Sequence, residues 1–147
     1  MFLEGILAIT GKPGLYKKVS QAKNSLIVES LETGQKLPAF SASKLSSLQD
    51  VAIYTDETEV PLADVLISAF EKNENYQNLT HKSSSEDLKN WFADILPNYD
   101  RDRVYVSDIK KIANWFNALI KAELLNTEAV ESYRRELEEI EKQENEE

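Results

Sequence analysis

From Ile6 to Tyr54 hydrophobic positions come in short runs or alternate with polar ones. Beyond Pro61 they recur every three or four residues, so the chain changes from strands to helices near residue 60. Ile6 to Ile9 is a brief apolar run. Gly11-Lys12-Pro13-Gly14 then turns the chain into a stretch where Leu15, Lys17 and Val19 alternate with Tyr16, Lys18 and Ser20. After a second turn at Gln21 to Asn24, Leu26 to Leu31 is the strongest strand signal. Glu32-Thr33-Gly34-Gln35 reads as a hairpin loop in which Gly34 supplies a positive φ. Lys36 to Phe40 returns, and Pro38 confines it to a sheet edge or a strand end because proline has no amide to donate. Ser41 to Gln49 is polar with Leu45 and Leu48 three apart, a single helical turn, and Val51 to Tyr54 completes a set of five short strands. The expectation is a small SH3-like β-barrel, with an OB-like barrel as its nearest competitor.

The first helical stripe follows Pro61: Leu62, Val65, Leu66, Ala69 and Phe70 fall on one face. A second holds Leu88, Trp91, Phe92, Ile95 and Leu96, opened by a cap from Ser84 with Asp87 or Ser83 with Glu86. A third holds Ile109, Ile112, Ala113, Phe116, Leu119 and Ile120 with Trp115 at its edge, and Ser107 is positioned to cap it. Two such helices joined by about ten residues form a helical hairpin. Thr127 is positioned to cap a last helix, in which Val130, Tyr133, Leu137 and Ile140 follow 3-4-3 spacing. That seam is two heptads long, enough to dock on the protein's own body or to form a weak dimer. The expected class is α+β. Residues 1–72 form the barrel with a packed helix, 73–85 a polar linker, 86–123 the hairpin and 124–147 an acidic C-terminal helix or tail.

Composition narrows the setting. With 41% hydrophobic residues over 147 positions the chain is rich enough for a globular core, and the lack of cysteine excludes disulfides, Cys-based zinc sites and thiol catalysis. The longest early apolar run is far shorter than a signal sequence or a membrane span, so a cytoplasmic protein without membrane contact is expected. Net charge is −9 but uneven. Residues 1–50 carry six Lys against four acidic residues, +2, and the remainder has eleven basic against twenty-two acidic residues, −11. A mildly basic front suits an anionic partner, whereas an acidic rear repels nucleic acid.

Several irregular strings resemble a family of small bacterial proteins catalogued as domains of unknown function. They are Ile9 to Tyr16, Asn24 to Leu31, Val51 to Thr55 with Val60-Pro61-Leu62, and Leu96 to Tyr105 with Ser107 to Lys111, together spanning roughly residues 1–122. The resemblance implies an SH3-like front and a helical rear and nothing catalytic. The polar linker and the acidic tail lie outside it.

The densest patch of charge and aromatic residues is Leu96 to Lys111, where one helix stops at Pro97 and Asn98 and the next begins. Asp100 and Asp102 alternate with Arg101 and Arg103 ahead of Tyr105. Interleaved cations neutralise the carboxylates, so the expected role is charge-assisted hydrogen bonding that fixes the turn rather than metal binding. His81, the one histidine, sits in the polar linker as a solvated residue, and Gly11-Lys12-Pro13-Gly14 lacks the spacing of a phosphate loop. Lys12, Lys17, Lys18 and Lys23 around Tyr16 are the best candidates for contact with an anion or RNA. The expected function is therefore a non-catalytic binding or adaptor module, with no cofactor, contacting a protein partner or RNA. The alternative is a small metal-assisted hydrolase or transferase working through Asp100 and Asp102.

Overall fold

The computed structural model describes residues 1–40, 44–72, 79–80 and 82–146. Its elements are β1 (Ile6–Ile9), β2 (Tyr16–Gln21), β3 (Ser25–Ser30), β4 (Lys36–Phe40), β5 (Leu45–Ser47), a 3₁₀ turn (Leu48–Asp50), β6 (Ala52–Tyr54), β7 (Glu59–Pro61), α1 (Leu62–Glu71), α2 (Ser85–Ile95), α3 (Val106–Lys121) and α4 (Thr127–Glu146). The α+β class is as expected. Among the described residues no helix is long and apolar enough to cross a membrane. Most of the expected 73–85 linker, including His81, lies outside the described residues.

The first five strands form one antiparallel sheet in the order β4-β3-β2-β1-β5. Pro38 sits in β4, an edge strand, where its missing amide costs no ladder bond. Gly34 turns β3 into β4 at φ +75, a conformation that an L side chain adopts only under strain. Two sequence expectations change here. The fifth strand is β5, ahead of the helical turn and not after it. Val51 to Tyr54 does not close the set, because β6 pairs with β7 in a separate two-stranded sheet. The ladder is therefore open among the described residues: β4 and β5 are its edges, and no pairing between them makes a closed barrel. The sequence could not separate these cases because Glu59 to Pro61, the strand that captures β6, has only Val60 as an apolar signal.

The sheet is apolar on both faces. Leu15 and Ile6 belong to the main core, while Tyr16, Leu7, Ile9, Val28 and Ala39 make a second cluster from strand residues alone. The main core runs from Leu3, Leu15 and Leu48 through α1 to Leu88, Phe92, Ile109, Leu119 and Val130. Helix α1 lies in its middle. Its expected stripe of Leu62, Val65, Leu66 and Ala69 is buried, but so are Ala63 and Ile67, while Phe70 is partly exposed. A helix covered on most sides has neighbours on both flanks, and burying each large side chain contributes about 1.5–3 kcal/mol. Proline supplies no amide at the N-terminus of α1, and the next amide, that of Leu62, donates to Val51 O at 2.9 Å.

Helix α2 is capped as expected by Ser84, whose Oγ accepts from Asp87 N at 3.1 Å. The other two caps differ from expectation. At α3, Ser107 lies inside the first turn. Asp108 Oδ2 instead reaches back to Tyr105 N at 2.9 Å, the reverse half of a capping box. At α4 the cap is Asn126, whose Oδ1 accepts from Ala129 N at 2.8 Å, and Thr127 is the first helical residue.

Candidate functional site

The central loop is built by docking against the β6–β7 turn. Thr55, buried at 7% exposure, organises that turn. Its Oγ1 accepts from Thr58 N at 2.9 Å and from Glu57 N at 3.3 Å, and donates to Thr58 O at 2.7 Å. Thr55 pairs with Tyr99 in an antiparallel bridge, so Asp56 N donates to Asn98 O at 3.0 Å and Asp100 N donates to Tyr54 O at 2.9 Å. Tyr99, 5% exposed, sets its ring edge-on to Phe92 at 4.9 Å between centroids. The loop is therefore anchored by backbone bonds on one side and an aromatic plug on the other.

The charged residues of the loop divide their roles. Asp100 Oδ1 accepts from Asp102 N at 2.9 Å and Arg103 N at 3.3 Å, turning the chain toward α3. Arg101 donates to Pro97 O at 2.8 Å and Tyr99 O at 2.7 Å, and its guanidinium lies 4.1 Å from the Tyr99 ring centre. Arg103 Nε is 3.6 Å from Asp100 Oδ2, with the Arg side chain 66% and the Asp side chain 23% exposed, and its guanidinium sits 5.1 Å from the Tyr54 ring. Asp102 is exposed and Tyr105 is 64% exposed. The loop's contacts run chiefly to carbonyl acceptors and backbone amides, and its Asp100–Arg103 pair is not buried. Among the described residues no group of three or more His, Asp or Glu side chains converges as a metal site.

Beside this loop a cleft of about 190 Å³ opens between β6 and α3. It is lined by Val51 to Tyr54 on one side and by Asp108, Lys111 and Trp115 on the other, with Val104 and Ile112 as an apolar floor between them and Arg103 at its end. The four α3 residues stand at i, i+3, i+4 and i+7, so one face of that helix supplies this side of the cleft. A more polar recess of about 450 Å³ adjoins it, where Asp56, Glu57, Glu59 and Asp100 surround Tyr54 and Arg103. The cleft leaves little mark in the sequence because its parts lie far apart along the chain. Trp115 at the edge of the α3 stripe, neither buried nor on the polar face, is the signal that points to it.

The front lysines do not gather. Lys12 lies in the β1–β2 turn and Lys23 in the β2–β3 turn, at opposite ends of β2, while Lys17 pairs with Glu29 at 3.2 Å. Lys18 is exposed on β2. Tyr16 is 8% exposed and belongs to the second apolar cluster, so its ring offers no free face to a base. On α4, Val130 and Tyr133 pack into the protein's own core, and Leu137 and Ile140 are 40% and 52% exposed. Tyr133 donates to Asp64 Oδ1 at 2.9 Å. Burial, with that bond and the charges of Asp64 and Glu136, pushes its pKa up to about 12.

Two family models match the chain, a domain of unknown function (DUF5606) over residues 3–48 and a second domain of unknown function (DUF6852) over residues 51–119. The solution NMR structure of a structural-genomics target from Bacteroides vulgatus is 45% identical and superposes with a TM-score of 0.69, covering 84% of this chain and 89% of its own. No curated protein matches the chain.

Proposed function

Because this chain belongs to the family of small proteins in which domain of unknown function DUF5606 is followed by domain of unknown function DUF6852, we propose that it is a non-catalytic binding module. It contacts a protein partner through the cleft between β6 and α3. The observation that carries this reading is the cleft itself: an apolar floor of Val104 and Ile112, walls bearing Tyr54 and Trp115, and cations at Arg103 and Lys111. Aromatic residues and Arg beside a small apolar depression are what anchoring contacts between proteins use. RNA, the other partner the sequence suggests, has only the scattered Lys12, Lys18 and Lys23 in its support. The hydrolase reading is weakened by Asp100, whose carboxylate is already engaged by two amides and Arg103.

The front is read as SH3-like in strand order, β5-β1-β2-β3-β4, with the irregularity between Lys18 and Ser20 bending β2. The second cluster, with Val28 at 0% exposure and, among the described residues, only strand side chains around it, is what a curled sheet encloses. A cytoplasmic setting is part of the proposal, supported by the cysteine-free composition.

Site-specific photocrosslinking in cells tests the function. A benzophenone side chain in place of Trp115 is expected to yield a discrete protein adduct, and the same group in place of Val19 on the front sheet is expected to yield none. Equal adducts at both positions, or none at 115, would overturn it.

A further inference from the structure

Hydrogen bonding along β6 alternates, and the alternation leaves part of one edge open. Val51 O accepts from Leu62 N at 2.9 Å and Thr55 N donates to Thr58 O at 2.7 Å, so residues 51, 53 and 55 face β7. Tyr54 faces the other way, since its carbonyl accepts from Asp100 N at 2.9 Å. By the same period, the N–H and C=O of Ala52 and the N–H of Tyr54 point to the edge away from β7. That edge is the wall of the cleft.

The central loop begins to cover this edge and then leaves it. Asn98, Tyr99 and Asp100 run antiparallel to Asp56, Thr55 and Tyr54 as the stub of a third strand. At Asp100 the carboxylate draws in the amides of Asp102 and Arg103, and Asp100 O accepts from Val104 N at 2.9 Å, so the chain turns into α3 before reaching Ala52. What remains is a short strand edge facing a helix across an apolar floor. We propose that an extended segment of a partner protein adds to β6 at Ala52 and Tyr54, continuing the line begun by residues 98–100, and that Lys111 holds an acidic side chain of that segment. This rests on the reading of the cleft as a protein-binding site.

The chemistry selects such an occupant. Unpaired backbone donors and an acceptor in a row are satisfied by another backbone and not by an apolar side chain alone. A segment of three residues spans about 10 Å, enough to follow the edge from Tyr54 past Ala52. Alternate side chains would then enter the floor over Val104 and Ile112 and meet Trp115, while those between point outward. Lys111 forms no ion pair among the described residues. Among the described residues Asp108 is the one carboxylate lining the cleft and already accepts from Tyr105 N, and Arg103 already meets Asp100, so Lys111 is the cation left to take a negative charge.

A random heptapeptide library displayed on phage and selected on the intact protein is the probe, with enriched peptides synthesised and titrated into isotopically labelled protein. The expected result is a consensus with apolar residues at alternate positions and an Asp or Glu, together with amide shifts and slowed exchange at Ala52 and Tyr54. N-methylation of the peptide's central amides and Lys111→Glu are each expected to weaken binding by about tenfold or more, with Lys111→Arg retaining it. Undiminished binding of the N-methylated peptide would overturn strand addition while leaving the cleft as a binding site. Shifts confined to another surface, or no enriched sequence, would overturn both. Dilution-dependent shifts of Ala52 and Tyr54 without peptide would replace the partner segment by a second copy of this chain.

Discussion

The carboxylate of Asp100 accepts two backbone amides at the turn into α3, a role that Asn keeps in part and Ala cannot keep, whereas Arg103 reaches it from solvent at 3.6 Å. Turn and cap acceptors of this kind are worth about 0.5–2 kcal/mol and exposed ion pairs about 0–1 kcal/mol. Asp100→Ala is therefore expected to lower stability by about 1–2 kcal/mol, with Asp100→Asn recovering most of it and Arg103→Ala costing less than about 1 kcal/mol. Urea midpoints at constant m-value measure all three, and equal losses for the two Ala variants would show that the Asp100–Arg103 pair, and not the amides, holds the turn. Sequence alone suggests such a symmetric pairing, since alternating Asp and Arg look like partners. It does not show that Arg101 turns to the carbonyls of Pro97 and Tyr99, because backbone acceptors leave no mark in composition. Tyr133 gives a pH-dependent prediction at the same scale. Its folded pKa of about 12 lies above the unbound value of 10, so its stabilising effect is full below pH 10 and is lost as pH rises through 12. One tyrosine is expected to ionise near pH 12 by ultraviolet titration, and Tyr133→Phe should abolish that step and flatten the fall in stability above pH 10.

Helix α4 is two different objects joined end to end. Its first half buries Val130 and Tyr133, ties Arg134 to Glu71 of α1 and meets the chain's N-terminal amine through Glu136 at 3.0 Å, while Leu137 and Ile140 continue the same face into solvent. The sequence pattern shows one uniform seam from Val130 to Ile140, since periodicity reports which residues share a face and not where the body beneath them ends. Asn126→Ala is expected to cost about 1 kcal/mol through the lost cap, and Leu137→Ser with Ile140→Ser less than about 0.5 kcal/mol, both read from thermal or urea unfolding. A large loss from the second pair would mean that the far half is covered in solution. Helices were legible because each stripe is long. The caps of α3 and α4 are ambiguous in sequence because Ser107 and Thr127 are themselves good capping types, and geometry selects Asp108 and Asn126 instead. Strands β5 and β7, three residues each, are too short for alternation to show, so the sequence does not reveal that β6 pairs outside the main sheet.

At the scale of the molecule, the two matched family regions meet between residues 48 and 51, yet the main core does not divide there. Leu3, Ile6, Leu15 and Leu48 from the front pack in one cluster with Ile53, α1, α2, α3 and the start of α4. Separating the halves would expose these four side chains on one side and the matching faces of the helices on the other. At about 1.5–3 kcal/mol per large side chain, the four front residues alone account for about 6–12 kcal/mol, comparable to the whole stability of an ordinary domain. The second cluster of Leu7, Ile9, Tyr16, Val28 and Ala39 is small by comparison, and a front of about fifty residues resting on it is below what usually folds alone. Front and rear are therefore expected to unfold together. Tryptophan fluorescence reports the rear, where Trp91 and Trp115 lie on α2 and α3. Amide exchange at Val28 reports the front. In urea the two should follow one transition with a common midpoint, and a chain ending at residue 50 should show no dispersed amide spectrum. An early, separate loss of protection at Val28 while the fluorescence holds would establish that the two regions fold independently and meet only at a surface.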